Sequence, residues 1–161
     1  MVYSTYGSVR PALVIEAFAY AMDRSMEHWR KQSGQVPPEK QLTQVVETYL
    51  SALHRDNPGH GCSIPALGAD IARESPKTRK AFAAKLDEMI ELIADFIPDA
   101  PRKAARKQAI ATLATMAGTM LLARIAGSSE LSDEVLKAGR DSALEGTKRE
   151  PKAAAKKTKH S

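Results

Sequence analysis

The spacing of apolar residues constrains this chain more than any other feature. Leu42, Val45, Val46, Tyr49, Leu50 and Leu53 fall at i, i+3, i+4, i+7, i+8 and i+11. That is the stripe of an amphipathic helix, which must bury one face against something else. The same period recurs almost everywhere. Ile15, Phe18, Met22, Met26 and Trp29 form a stripe that starts near Pro11 and stops by Gly34. No run alternates with period two over a strand's length, and no hairpin dipeptide joins apolar segments. The pattern predicts an all-α helical bundle of about six helices.

Punctuation sets the expected boundaries. Pro37-Pro38 precedes the second stripe, which is read as one helix through Leu53, and Asn57-Pro58-Gly59-His60-Gly61 follows it as a turn. A short helix carries Ile64, Leu67 and Ile71. Ser75-Pro76 pairs an N-cap with a proline suited to the first helical turn. Phe82, Leu86, Met89, Ile90, Ile93 and Ile97 then line a long helix that Pro98 ends, and Asp99 is placed to cap the next one. In that helix Ile110, Leu113, Ala117, Met120 and Leu121 are read as sharing a face, with Gly127 as its stop. The last helix is expected to open at Ser132, with Leu131 and Leu136 as a hydrophobic staple.

The chain of 161 residues has a net charge of +5, and the charge is local. Residues 147–161 carry Lys148, Arg149, Lys152, Lys156, Lys157 and Lys159 against Glu150 alone, while the remainder balances. The basic character thus belongs to a terminal segment without an apolar stripe, expected to be a disordered tail. Six cations can hold phosphate weakly and salt-sensitively, or simply keep the chain in solution. The longest uncharged run, Gln108–Ala123, falls short of the roughly 20 apolar residues of a membrane span. No basic stretch leads into an apolar one at the N-terminus. With Cys62 as the sole cysteine, an intrachain disulfide is impossible. A soluble, cytoplasmic chain without membrane contact is expected.

Two stretches carry a family resemblance. Tyr3-Ser4-Thr5-Tyr6-Gly7-Ser8, followed by Ala12-Leu13 and Glu16-Ala17-Phe18, resembles the Tyr-x-His-Phe-x-Ser-Lys-x-x-Leu junction of TetR-family transcriptional regulators. His54-Arg55-Asp56-Asn57-Pro58-Gly59-His60-Gly61-Cys62, followed by Ala69-Asp70-Ile71-Ala72, is similar to a loop and helix of TetR-type regulatory domains. The resemblance implies that residues 1–10 are a remnant of the recognition helix and its junction. Tyr3 and Thr5 stand there at positions that in the family help to hold DNA phosphates. Residues 11–146 would be a helical ligand-binding and dimerisation domain. Operator binding is expected only together with an upstream helix-turn-helix, because docking in the major groove requires the whole motif.

The resemblance also implies a small apolar effector and a homodimer. Met22, Met26, Trp29, Phe82, Leu86, Met89, Met116 and Met120 lie on inward stripes of three helices and read either as core or as lining of a ligand cavity. Trp29, Thr112 and Thr119 offer polar anchors. Leu113, Ala117, Leu121, Val135, Leu136, Gly139 and Ala143 make the expected dimer face, with Gly118 and Gly139 allowing close approach. The competing reading is a non-regulatory helical interaction module that works through its basic tail.

Catalytic and metal chemistry finds little support. His54, Asp56, His60 and Cys62 are ligand types within nine residues, but they sit on a Pro-Gly turn without a second cysteine, and read as solvated turn residues. Cys62 near His54 or His60 lacks an orienting acid and reads as a small packed thiol. Asp87, Glu88, Glu91 and Asp95 read as a solvated acidic face. There is no phosphate loop, zinc motif or Gly-x-Ser-x-Gly. No enzyme activity, metal or cofactor is expected.

Overall fold

The computed structural model describes residues 6–145, so Tyr3, Thr5 and the basic segment lie outside the described residues. Among the described residues seven α-helices follow one another: α1 (Tyr6–Ser33), α2 (Pro38–Tyr49), α3 (Ala52–Asp56), α4 (Ile64–Ile71), α5 (Pro76–Asp95), α6 (Arg102–Ala126) and α7 (Glu130–Leu144). A single 3₁₀ turn, Pro58–His60, sits between α3 and α4. Among the described residues there is no strand.

The α6–α7 hairpin packs most extensively, α5 lies against α6, and α1 spans α5 and α2. The core between them is rich in methionine. Met22, Met26, Met89, Met116 and Met120 are fully enclosed with Val45, Val46, Leu50 and Ile93. Phe18 of α1 meets Phe82 of α5 edge to face, 4.3 Å between ring centroids. Outside the core, the α5 row Asp87–Glu91–Asp95 meets Arg102 and Arg106 of α6. Arg102 bridges Glu91 and Asp95, and Arg106 bridges Glu91 and Asp87. The acidic row thus pairs with a neighbouring helix instead of standing free in solvent. Exposed pairs of this kind add about 0.2–1 kcal/mol each, enough to favour one register between helices.

Several local expectations change. Helix α1 is already formed at Tyr6, the first described residue, so Pro11 lies within it and not at its start. Proline is compatible with a first turn without marking one. The stripe read as a single helix through Leu53 breaks at Leu50–Ser51, where Ser51 becomes an N-cap that accepts the His54 N–H at 3.2 Å. Asp99 does not cap α6. It turns the chain with φ 62°, a left-handed conformation that aspartate tolerates, and α6 starts after Pro101. Helix α7 opens three residues early, capped by Ser129, whose hydroxyl accepts the Ser132 N–H at 3.2 Å. Ser132 is instead buried, donating its hydroxyl to the Ala123 carbonyl at 2.8 Å. The Ser75 cap and the Pro76 start of α5 stand as expected, with Ser75 accepting the Thr78 N–H.

Candidate functional site

The break after α2 builds one wall of a cavity of about 620 Å³ that opens to solvent on one side. Its other wall is a polar row on α1, Tyr20, Arg24 and His28, at four-residue spacing, with Ala21, Ser25 and Trp29 beside it. Opposite stand Thr48, Tyr49, Ser51, Leu53, His54 and Asn57, and the floor runs through Gly59, Gly61 and Cys62.

Hydrogen bonds hold the second wall rigid. His54 Nε2 accepts the Cys62 backbone N–H at 3.2 Å, and Nδ1 lies 2.6 Å from the Tyr49 carbonyl. A nitrogen that accepts an N–H carries no proton, so the proton sits on Nδ1 and is donated to Tyr49. Burial pushes the His54 pKa down, and Arg124 and His28 push the same way against the raising effect of the Tyr49 carbonyl. Close approach of the backbone to this ring requires Gly61. A Cβ there would come 2.3 Å from His54 Nε2 and 2.9 Å from an Arg124 guanidinium nitrogen.

Aromatic rings continue the latch into the cavity. Tyr49 meets His54 edge to face at 4.5 Å and Trp29 at 5.9 Å. The Tyr49 hydroxyl is buried without a hydrogen-bond partner. The Cys62 thiol is the neighbouring group that perturbs it. Burial first, then Cys62, holds the phenol well above its ordinary pKa. Burial likewise pushes the Cys62 thiol up, so it stays protonated and is a poor nucleophile. An unpaired buried donor costs about 1–3 kcal/mol, so an acceptor brought to this hydroxyl would relieve that cost.

Three arginines tie the same wall to the terminal helix pair. Arg124 of α6 donates to the His54 and Arg55 carbonyls at 3.1 and 3.4 Å. Arg140 of α7 donates to the Leu50 carbonyl. Arg55 itself is only 8% exposed. Its guanidinium reaches Asp56 at 2.7 Å, Ser132 at 3.0 Å and Asp133 at 2.8 Å across the start of α7. Those acceptors raise its pKa, chiefly through Asp56. His54 is therefore not the solvated turn residue its Pro-Gly setting suggests, whereas Cys62 is buried as the small packed thiol expected. The turn folds back on itself, and the His54 and Arg55 side chains buried by that step both find partners.

Of the residues expected to line a ligand space, Trp29 borders this cavity. Met22, Met26, Met89, Met116, Met120 and Phe82 are packed in the core, and Leu86 is 40% exposed on α5. Thr112 and Thr119 are buried at the α6–α7 seam. Thr112 donates to the Ala143 carbonyl at 3.3 Å, and Thr119 fills the space that a Cβ on Gly139 would need. Leu113, Leu136 and Gly139 are buried within the protomer, Ala117 and Val135 are half-buried, and Leu121 is exposed. The polar row Tyr20–Arg24–His28 was legible as an i, i+4, i+8 repeat, but it lies beside a stronger apolar stripe that masks it.

Residues 38–137, from the start of α2 well into α7, match the C-terminal domain of LmrA/YxaF-like transcriptional regulators, a TetR-type domain. The match spans more than half of the chain. The chain belongs to the TetR family. No curated protein matches it at a comparable level. In this TetR-family domain the matched region contains the whole 48–62 wall and the α6 helix to which it is tied. The Tyr20–Arg24–His28 row on α1 lies outside the matched residues.

Proposed function

We propose that this chain is the effector-binding and dimerising part of a TetR-type transcriptional repressor, with the cavity between α1 and residues 48–62 as its effector site. The observation that carries the reading is the fastening of one cavity wall, through Arg55, Arg124 and Arg140, to the two helices whose outer surface is apolar and unoccupied. A guest that reshapes the wall acts on α6 and α7 through those bonds. In a complete regulator this would change the separation of two DNA readers and weaken operator binding, provided the effector favours one conformation over the other.

The dimer interface we assign is the outer face of α6, Ile110, Ala114, Ala117, Gly118, Leu121 and Ile125, extended by Leu131, Val135 and Ala138 of α7. Ile125 is 74% exposed and Leu121 45% exposed. Helix α6 is also long and apolar enough to cross a membrane by length and composition. In a helix with one face already buried in the core, a second apolar face is better accounted for by a symmetric partner. Gly118 fits this role, because a Cβ there would meet nothing within the protomer. In this proposal Ala117, Leu121 and Val135 belong to the interface, whereas Leu113, Leu136 and Gly139, buried within the protomer, do not.

The test is a titration of the purified chain with hydrophobic compounds, followed by Trp29 fluorescence. Trp29 is the only tryptophan and borders the cavity. A saturable change that is lost in Leu53→Phe, which narrows the mouth without adding a second tryptophan, supports the reading. Binding that survives this change places the guest elsewhere.

A further inference from the structure

The charges and free donors of the cavity specify the chemical class of its guest. Among the lining residues Arg24 is the one permanent charge, and none is an aspartate or glutamate. Arg24 makes no ion pair among the described residues. Its guanidinium lies over the Tyr20 ring, 5.9 Å from the centroid, so the cation-binding face of that ring is already taken. The acids nearest to Arg24 in sequence, Asp23 and Glu27, do not line the cavity, and Asp23 pairs with Lys85 at 2.8 Å.

Several of the remaining polar groups are committed. His54 uses both ring nitrogens. Ser25 donates to the Ala21 carbonyl, Ser51 to the Thr48 carbonyl, and Asn57 to the Leu53 carbonyl. The lining also holds the Tyr20 and Thr48 hydroxyls, the His28 imidazole and the Trp29 indole N–H, none of which carries a permanent charge. Beside these the Tyr49 hydroxyl is buried and unpartnered, and the Arg24 guanidinium stands at the exposed rim; both are donors. Between them stand the flat faces of Trp29, Tyr49 and Tyr20.

We propose that the cavity binds an amphipathic organic anion: an aromatic or flat hydrophobic body between α1 and the 48–62 wall, bearing a carboxylate or similar acceptor that takes hydrogen bonds from Tyr49 and charge from Arg24. This inference rests on the reading of the cavity as an effector site and narrows the expected apolar effector to one with a negative end. An ammonium-bearing guest of the same shape finds a like charge at the rim and no acid to pair with. A neutral guest gains the Tyr49 bond but not the charge. The positioning is therefore divided: the aromatic walls hold the body, Tyr49 orients the acceptor, and Arg24 selects its sign.

Three probes of matched shape test it: biphenylacetate, the corresponding biphenylethanol and the corresponding biphenylethylamine, each titrated against the full chain and followed by Trp29 fluorescence and calorimetry. The acetate is expected to bind about tenfold more tightly than the alcohol, the size of one charge-assisted hydrogen bond, and the amine most weakly. Arg24→Gln should bring acetate and alcohol to equal affinity without moving the melting temperature. Tyr49→Phe should weaken the acetate severalfold while the unliganded protein melts no lower, a result that a merely structural tyrosine would not give. If the alcohol or amine binds as tightly as the acetate, the anion assignment is overturned and the cavity reading stands. If none of the three binds up to millimolar concentration, both are overturned.

Discussion

His54 accepts the backbone N–H of Cys62 at Nε2 across 3.2 Å, and this bond closes the loop between α3 and α4 back onto α3, while Nδ1 of the same ring holds the Tyr49 carbonyl at the end of α2. The bond to Cys62 exists only while the imidazole is neutral. Protonation would place a second N–H against the Cys62 donor, in a half-buried setting that Arg124 and His28 already make positive and where the Tyr49 carbonyl is the compensating partner.

Stability should therefore fall in mild acid. The folded pKa of His54 lies below the ordinary value of 6.5, so between the two values the unfolded chain binds more protons. The His54 contribution is fully present above pH 6.5 and is lost as pH falls through the folded value. Urea midpoints from about pH 8 to about pH 5 should drop more steeply in the wild type than in His54→Asn, with the difference confined to the acidic side. Parallel curves would mean that His54 is not the latch.

Gly61→Ala should open the same latch sterically. The new methyl would stand within 2.3 Å of His54 Nε2 and against Arg124. Overpacking of this kind costs roughly 1–3 kcal/mol. Thermal melts measure the loss, and amide exchange at Cys62 should accelerate in the variant. An unchanged melting temperature with a protected Cys62 amide would contradict the geometry.

Met120→Trp tests whether the methionine cluster is core or cavity. Met120 is fully buried among packed neighbours, so the larger ring should destabilise by about 1–3 kcal/mol in urea unfolding. A neutral or stabilising outcome would reveal space for a guest at the centre of the bundle.

The residue pattern made most of the fold legible, and its failures have physical causes. Helix α2, the short α4 and the Ser75-Pro76 start of α5 are plain in spacing and capping chemistry. The break after Tyr49 was hidden because the apolar period runs on to Leu53, which is in fact 76% exposed. Ser51 as a cap was the local signal against it. Helix α6 is ambiguous for another reason: alanine-rich and apolar all round, it offers no polar face to say which side is inside. Periodicity accordingly put Ile110 and Leu121 with Leu113 and Met120, whereas the fold buries the latter two and exposes the former. At α7, Ser129 and Ser132 are both plausible caps in sequence, and only the demand of the Ala123 carbonyl for a donor separates them. The cavity was the least legible part. Its wall depends on hydrogen bonds from Arg124 and Arg140, 69 and 90 residues away from their acceptors, and no local pattern encodes those.

Sedimentation equilibrium of the wild type beside Leu121→Glu tests the regulatory-dimer account most directly. Leu121 is 45% exposed at the middle of the outer α6 face, so a carboxylate there should leave the protomer folded but place an unpaired charge in the interface, a change that costs several kcal/mol when buried. The account predicts a wild-type dimer at micromolar concentration and a monomer of unchanged helical content for Leu121→Glu. A wild-type monomer, or a Leu121→Glu dimer as tight as the wild type, would contradict it.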